Sequence, residues 1–254
     1  MSAVKIILCG ACGKMGANVL SMLSADQSAS VVCGVDLFPK EIGIPVYKSF
    51  FEIQEKADVI IDFSSPQNLQ ERLDYAKQNR LGIVLASTGF SKEDLALIDE
   101  YAKTTAIFKT ANLSLGVNVM QALCKAAVQV LGDGFDIEII EKHHNLKKDA
   151  PSGTALMLAD SVNQAFDGEK TYLYGRSGMV GAREKKEIGI HAVRGGTIVG
   201  EHEVIFAGED EVITISHSAA SKRVFATGAI RAAKFLKGKP AGMYAMKDLL
   251  AQEN

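Results

Sequence analysis

The sequence has little of what marks a secreted, cross-linked or membrane protein. Its 254 residues include four cysteines and five prolines, which is far below the cysteine density of a disulfide scaffold. The formal net charge of −2 gives no overall attraction to nucleic acid or to an anionic membrane. We see no apolar run that approaches a membrane span, no signal-peptide pattern, no internal repeat and no low-complexity segment. We therefore expect a soluble, cytoplasmic protein without a nucleic-acid or membrane partner.

What the chain does have is a large apolar fraction, 47%, enough for one large or two modest domains. In its first part, short apolar runs alternate with helical patterns, which is typical of a parallel sheet with crossover helices. Strands are predicted there at 4–9, 30–35, 57–62, 81–85 and 105–109. Helices are predicted at 67–79 and after Ser91, where Asp94 makes an approximate capping box.

The pattern changes after a mostly apolar helix predicted at 115–131. The elements predicted beyond it are a strand at 135–140, a helix at 152–166, strands at 188–193, 197–206 and 211–216, and a helical face from 225 to 236. Turn residues at Gly195-Gly196 and at 208–210 predict consecutive hairpins, and hence an antiparallel or mixed sheet with an open face. The predicted fold class is α/β: an N-terminal Rossmann dinucleotide-binding domain, 1–114, followed by an α+β domain with a mixed sheet, 115–222.

A glycine-rich turn follows the first strand and precedes a helix, the context that a dinucleotide fingerprint requires. Its glycines are Gly10, Gly13 and Gly16, with Cys12 where the usual second glycine would stand. Asp36 ends the next strand and is placed to accept hydrogen bonds from a ribose. The alternative is a generic strand–helix–strand unit in which Asp36 only opens a loop. The candidate cofactor contacts here are Gly10, Ala11, Cys12, Gly13, Lys14, Met15 and Asp36. The C-x-x-C spacing of Cys9 and Cys12 is interpreted as a coincidence.

Polar residues also follow the other predicted strands of the first domain. Ligands of open parallel sheets bind outside the carboxyl ends of the strands. Each polar residue alone fits an ordinary cap or turn, but together they outline one ligand site. The further candidate cofactor contacts are Ser64, Ala86, Ser87, Thr88, Thr110, Ala111, Asn112 and Leu113.

The most informative stretch is 141–154, Glu-Lys-His-His-Asn-Leu-Lys-Lys-Asp-Ala-Pro-Ser-Gly-Thr. It lies where a predicted strand ends and a helix begins, so the amides around Ser152, Gly153 and Thr154 form an anion site. His143 and His144 can exchange protons near neutral pH. Such a site suits a carboxylate substrate that is protonated during the reaction. The alternatives are a solvated loop capped by Ser152, and one structural histidine beside an exposed one.

Three further histidines, His191, His202 and His217, are spaced singly on predicted strands. They are assigned to structure or to the rim of the site. No grouping of His, Cys and Asp has convincing metal-ligand spacing, so no metal is expected.

The stretch resembles the E-x-H-H-x-x-K-x-D-x-P-S-G-T pattern of the dihydrodipicolinate reductase family. The resemblance continues at 10–16, 87–90, 111–118 and 239–244. It implies reduction of a cyclic unsaturated dicarboxylate with NADH or NADPH, in lysine and diaminopimelate biosynthesis. It also implies a tetramer built through the sheet of the second domain, with C-terminal helices 223–254 returning to the first domain. By position, His143 is the proton donor and Lys147 its charged partner, both catalytic. His144, Gly153 and Thr154 are substrate contacts, together with Ser152 from the anion site.

The sequence departs from the family pattern at three places. Lys222 replaces an arginine and has Arg223 beside it, Ala111 replaces a common proline, and Leu37 follows Asp36 where some members carry a basic residue. If residues alternate as in a strand, Lys222 faces the substrate and Arg223 faces away. Because Asp36 would repel a 2′-phosphate, we expect NADH to be used at least as well as NADPH, although Lys14 or Lys40 could still reach that phosphate.

Two other functions fit the same fold. One is another two-domain Rossmann oxidoreductase, such as a diaminopentanoate or aspartate dehydrogenase. The other is a nucleotide-sensing regulator without catalysis, since a fold does not fix a function. The complete set His143, Lys147 and Ser152–Thr154 argues against the regulator.

Overall fold

The computed structural model describes residues 3–252. The chain forms two compact units, 1–114 with 223–254, and 115–222. The strands are β1 (Val4–Cys9), β2 (Ala29–Val35), β3 (Val46–Tyr47), β4 (Val59–Asp62), β5 (Gly82–Leu85), β6 (Ala106–Lys109), β7 (Asp136–His143), β8 (Thr171–Tyr174), β9 (Glu187–Arg194), β10 (Glu201–Ala207), β11 (Val212–Ser218) and β12 (Gly242–Tyr244). The helices are α1 (Lys14–Leu23), α2 (Leu69–Asn79), α3 (Lys92–Ala102), α4 (Leu115–Leu131), α5 (Gly153–Gln164), α6 (Arg223–Leu236) and α7 (Met246–Gln252).

The first unit is built on a seven-stranded sheet in the order β12-β6-β5-β4-β1-β2-β3. Every neighbouring pair is parallel, so the predicted Rossmann sheet is confirmed. The chain moves from β1 outward to β3 and then returns to β4 on the other side of β1. That reversal is the topological switch point at which open parallel sheets bind ligands. The two- and three-residue strands β3 and β12 were not predicted, because such short runs carry no periodic signal.

Helix starts in the first unit follow local side-chain chemistry. Ser91 accepts from the Asp94 amide and the Asp94 carboxylate accepts from the Ser91 amide, which confirms the predicted capping box. The small residues of α6 form a buried face, and α6 contacts β4, β5 and β6. A Cβ on Gly82 would lie 2.8 Å from a Leu236 methyl, so helix and sheet pack closely there.

The second unit is a five-stranded sheet in the order β11-β10-β7-β9-β8. Its middle strand β7 runs antiparallel to β10 and parallel to β9, so the predicted mixed sheet is confirmed. The predicted hairpin at Gly195-Gly196 is wrong, because β9 and β10 lie on opposite sides of β7. Six residues separate these strands and carry the chain across the end of β7. The hairpin predicted at 208–210 is confirmed by the antiparallel pairing of β10 with β11.

Strand β7 is longer than predicted and ends at His143 rather than at 140. Its side chains alternate, with Ile137, Ile139 and Glu141 buried on one face. The helices α4 and α5 cover that face. Because side chains two apart on a strand share a face, Glu141 and His143 lie on the same side of the sheet.

Helix α4 corrects one expectation from the sequence. Residues Leu115–Gly134 are long and apolar enough to count as a candidate membrane span, with a mean hydropathy of 1.3. The prediction that no apolar run approaches a membrane span is wrong for this segment. Core packing accounts for part of the apolar character, because Met120, Cys124 and Val128 lie in the core formed with α5 and the sheet. Val119, Leu123 and Val130 are exposed.

Candidate active site

The glycine-rich turn between β1 and α1 is packed tightly against backbone. A Cβ on Gly16 would lie 2.3 Å from the Ala11 carbonyl oxygen, and one on Gly10 would lie 2.9 Å from the Phe63 carbonyl oxygen. Gly10 also has a φ of +72°, which favours glycine. The first-turn amides of α1 have no intrahelical acceptor. The turn therefore offers the close backbone approach and the helix N-terminus that a pyrophosphate requires.

Asp36 is joined directly to this turn. Its carboxylate accepts hydrogen bonds from the amides of Cys12 and Phe38, both at 3.0 Å. It lines a cavity of about 310 Å³ together with Gly10, Ser64 and Lys48. The structure thus brings Asp36 and the turn together, as the fingerprint predicts. Lys48 was not singled out from the sequence, because no motif connects it to the turn.

The loop after β4 is held by a buried ion pair. Asp62 is fully buried, and its Oδ2 lies 2.8 Å from Nε of Arg72, although the pair lies outside hydrogen-bond geometry. The Arg72 guanidinium donates instead to the carbonyls of Ser65 and Gln67, at 2.6 and 2.7 Å. The Ser64 amide donates to Asp62 at 2.9 Å. The predicted Ser64 is therefore fixed at the wall of the cavity by two residues that sequence reasoning missed.

The loops after β5 and β6 complete the carboxyl edge of the sheet. The strands β1, β4, β5 and β6 are parallel and consecutive in the sheet. The predicted residues Ala86, Ser87 and Thr88 and the loop 110–113 therefore lie at one edge of it. Thr110 donates from its hydroxyl to the Asn112 carbonyl at 3.0 Å. The Ser87 hydroxyl is buried without a partner in the described part of the chain. The geometry gathers these candidates at one edge, while their contacts with a cofactor remain predictions.

The second unit carries a polar centre organised around Glu141, which is fully buried. Its carboxylate accepts from both terminal nitrogens of Arg194, at 2.7 and 2.8 Å, and from the Ser152 amide at 2.9 Å. Burial acts to raise the pKa of Glu141, but hydrogen bonds from Arg194, His143 and Ser152 outweigh it and leave the pKa below its ordinary value. Glu141 is therefore an ionised carboxylate inside the unit.

His143 contacts this carboxylate through Nδ1, which lies 2.6 Å from Oε2 of Glu141. Since an ionised carboxylate only accepts, the proton on Nδ1 is assigned from this contact. The other ring nitrogen, Nε2, faces Gly200. A Cβ at position 200 would lie 3.1 Å from it, so glycine leaves Nε2 uncrowded. A ring held at Nδ1 and open at Nε2 is suited to proton transfer.

His202 and Ser152 extend the centre to the start of α5. Ser152 caps that helix by accepting from the Ala155 amide at 3.1 Å, and its hydroxyl lies 3.0 Å from Nε2 of His202. His202 is 4% exposed, and burial first, then the nearby His143, lowers the pKa of His202 to about 4. Its ring stands edge-on to His143 with centroids 5.2 Å apart. The sequence assigned His202 to structure or to the rim of the site and did not indicate its contacts with Ser152 and His143.

The remaining signature residues lie on the loop before α5. Lys147 forms an ion pair with Asp149, with Nζ at 2.8 and 2.9 Å from the carboxylate oxygens. Its amide donates to the His144 carbonyl at 3.1 Å. The predicted N-terminus of α5 is confirmed at Gly153, after the Ser152 cap. In residues 3–252, no group of three or more His, Cys, Asp or Glu is arranged to hold a metal.

One premise about Lys222 is wrong. Lys222 lies in a turn and Arg223 is the first residue of α6, so the two do not alternate as on a strand. Both side chains are exposed.

Family models match nearly the whole chain. The one described as "Dihydrodipicolinate reductase, N-terminus" matches residues 4–113, and "Dihydrodipicolinate reductase, C-terminus" matches residues 116–250. The chain belongs to the dihydrodipicolinate reductase family. This membership confirms the resemblance seen in the sequence and the predicted NAD(P)H-dependent reductase. Neither the amino-acid dehydrogenase nor the non-catalytic regulator gains support from it.

Individual dihydrodipicolinate reductases cover the chain equally well. A 4-hydroxy-tetrahydrodipicolinate reductase from Caldanaerobacter subterraneus subsp. tengcongensis is 51% identical over 97% of this chain and 98% of its own length. One from Clostridium novyi is 45% identical over 98% and 99%. The solved structure of a dipicolinate-bound dihydrodipicolinate reductase from Paenisporosarcina sp. TG-14 has a TM-score of 0.79 at 24% identity, covering 96% of this chain and 97% of that one. The last similarity supports the fold.

Proposed function

We propose that this chain is a cytoplasmic 4-hydroxy-tetrahydrodipicolinate reductase that produces tetrahydrodipicolinate with NADH or NADPH, in lysine and diaminopimelate biosynthesis. One observation carries the proposal beyond family membership. The buried Glu141 carboxylate bonds both to His143 Nδ1 and to the Ser152 amide. A single group thus joins a proton donor to a helix N-terminus able to hold a carboxylate, and a dicarboxylate substrate needs both.

The start of α5 supplies the anion site. The amides of Gly153 and Thr154 belong to the first turn of a 12-residue helix, where the helix dipole favours negative charge. His144 and Lys147 lie on the loop that leads into this helix, so a ring carboxylate bound there would be near both. We assign these four residues to substrate binding, with Ser152 as the cap that fixes the turn.

Lys222 is proposed as a further substrate contact. An ammonium gives a single point charge where an arginine would give a planar fork. We expect Lys222→Ala to raise KM for the dicarboxylate more than Arg223→Ala does. A larger effect of Arg223→Ala would show that the helix N-terminus, rather than the turn, provides the cation.

His143 supplies the proton. A nicotinamide dinucleotide held by the glycine-rich turn and Asp36 would supply the hydride that forms a C–H bond on the conjugated ring, leaving an electron pair in the substrate. His143 holds a proton at Nε2 and delivers it to that electron pair, while Glu141 keeps the ring oriented through Nδ1. Lys147 stabilises the developing negative charge once substrate competes with Asp149 for its ammonium group.

The dinucleotide is assigned to the glycine-rich turn and the loops at the same edge of the sheet. The close packing around Gly10 and Gly16 supports a backbone approach to the pyrophosphate, and Asp36 supports a ribose contact. We propose that NADH is used at least as well as NADPH, because the Asp36 carboxylate repels a 2′-phosphate. Lys48 lines the same cavity, and we assign its ammonium group to the 2′-phosphate of NADPH when that cofactor binds.

Binding measurements distinguish the effects of the Asp36 and Lys48 charges on cofactor choice. We expect Asp36→Asn to weaken NADH more than NADPH, and Lys48→Ala to weaken NADPH more than NADH, both by isothermal titration calorimetry. A clear NADPH preference in side-by-side kinetics of the unmodified enzyme would overturn the proposed cofactor choice.

We propose a homotetramer assembled through the second sheet. The helices α4 and α5 cover one face of it. On the other face, Ile140, Val193, Ile205 and Val212 are only partly buried or exposed. Apolar side chains on an uncovered sheet face are typical of a subunit interface. Light scattering after size exclusion tests this, and a monomer at micromolar concentration would contradict it.

The activity itself is tested by a substrate panel. The enzyme should oxidise NADH or NADPH when supplied with the product of a dihydrodipicolinate synthase reaction. It should not reduce NAD with open-chain amines such as aspartate or diaminopentanoate. Faster turnover of an open-chain amine would replace the proposal with an amino-acid dehydrogenase.

A further inference from the structure

We propose that Glu141 and Arg194 are positioning residues that together set the pH range over which His143 can act as an acid. Glu141 orients the imidazole and favours its charged form. Arg194 offsets part of the charge of Glu141 and so limits that effect on the ring. This inference rests on the proposed role of His143 and adds two residues to it.

The geometry makes Glu141 the shared partner of both cations. Oε2 lies 2.6 Å from His143 Nδ1 and 2.8 Å from one terminal nitrogen of Arg194, and Oε1 lies 2.7 Å from the other nitrogen. A bidentate arginine–carboxylate pair is strong and fixed in direction. Glu141 is fully buried, so its charge acts on the ring with much less screening than a surface charge would.

The other charged or titratable groups around the ring contribute less. His202 on β10 packs edge-on against it but stays neutral at pH 7, since burial lowers its pKa to about 4. On the loop, Lys147 is paired with Asp149. His217 on β11 acts on His202, and burial lowers its pKa as well. Neutral histidines and a compensated ion pair leave Glu141 and Arg194 as the charges that control His143.

A purely structural role is the alternative. Glu141 also accepts from the Ser152 amide, and Arg194 donates to the Asp149 carbonyl at 2.7 Å. Both residues could therefore simply tie the loop 144–152 to the sheet. Loss of such a tie would raise KM or lower stability in either variant. It would not move the pH dependence in opposite directions.

The pH profile of kcat/KM distinguishes the two. Because His143 acts as an acid, activity falls as pH rises and the ring loses its proton. Glu141→Gln removes the negative charge beside the ring, so this alkaline limb should move about one unit to lower pH. Arg194→Gln removes the offsetting positive charge, so the limb should move about one unit to higher pH.

Two matched variants serve as controls. Arg194→Lys keeps the charge without the fork and should keep the limb in place while lowering kcat. Lys142→Gln changes a charge on β7 between Glu141 and His143, but its side chain pairs with Glu201 and Glu203 on the other face. Its limb should stay within a few tenths of a unit of the unmodified enzyme.

The outcome is decisive even if Arg194→Gln fails to fold. Glu141→Gln is isosteric, and an unmoved limb in that variant alone overturns the inference, as do shifts of both variants in one direction. Titrating the histidine ring nitrogens by NMR gives the same comparison without turnover. A wild-type enzyme that does not turn over the dicarboxylate would refute the proposed function, while the NMR shifts would still test the coupling of the three residues.

Discussion

His202 makes the stability of this protein depend on pH in a way that can be calculated. The ring is 4% exposed and its Nδ1 has no partner among residues 3–252. Burial disfavours the charged form and lowers the pKa of His202 to about 4, whereas an unfolded chain has the ordinary value of about 6.5. Between these values the unfolded chain binds the additional proton.

The sign and size follow from proton linkage. The contribution of a neutral His202 is fully present above pH 6.5 and is lost as pH falls toward 4. Two and a half units correspond to about 3 kcal/mol in all. Of this, about 2 kcal/mol is lost between pH 7 and pH 5. That is a large part of the stability of an ordinary domain.

The assay compares urea unfolding of the unmodified protein and of His202→Gln at pH 7 and pH 5. The variant should be less stable at pH 7, because the contact with Ser152 is altered, but it should lose about 2 kcal/mol less on acidification. His144→Gln, which removes a different histidine and keeps His202, controls for general effects. Equal losses in the unmodified protein and His202→Gln would refute the reasoning.

Four further predictions test the catalytic and cofactor residues. His143→Gln should lower kcat by about 10²–10⁴-fold with nearly unchanged NADH affinity. Lys147→Ala should raise KM and lower kcat in steady-state kinetics. Wild-type values in either variant would remove that residue from the mechanism. Gly200→Ala should lower kcat while leaving the melting temperature nearly unchanged, because the added Cβ would lie 3.1 Å from His143 Nε2. Unchanged turnover would mean that Nε2 does not transfer the proton. Gly16→Ala should weaken NADH binding at least ~10-fold by calorimetry, since its Cβ would lie 2.3 Å from a backbone oxygen; wild-type affinity would place the dinucleotide elsewhere.

The first unit was largely predictable because its signals are local. Each long strand is a short apolar run bounded by turn residues, and parallel strands place their following loops at one edge. The glycine-rich turn and Asp36 could therefore be placed together from spacing alone. Arg72 could not, because its partner Asp62 lies on another element and an interior arginine of a helix looks like a solvent-facing residue in the sequence.

The polar centre of the second unit was only half predictable. His143 and the Ser152 cap follow from a contiguous motif, but Glu141 depends on where β7 ends. The strand was predicted to end at 140, so the prediction did not place Glu141 and His143 on the same face of it. Arg194 depends on the pairing of β9 with β7, 53 residues away. The glycine pair at 195–196 instead indicated a hairpin, since turn chemistry does not specify which strands become neighbours.

The central claim is that His143 protonates a cyclic dicarboxylate as hydride is delivered. The most direct test is NADH oxidation coupled to a dihydrodipicolinate synthase reaction, run with the unmodified enzyme, His143→Gln and Lys142→Gln. We predict oxidation that requires the synthase product, loss of at least ~100-fold in His143→Gln, and a normal rate in Lys142→Gln. Oxidation that does not need the synthase product, or an equal rate in His143→Gln, would contradict the account.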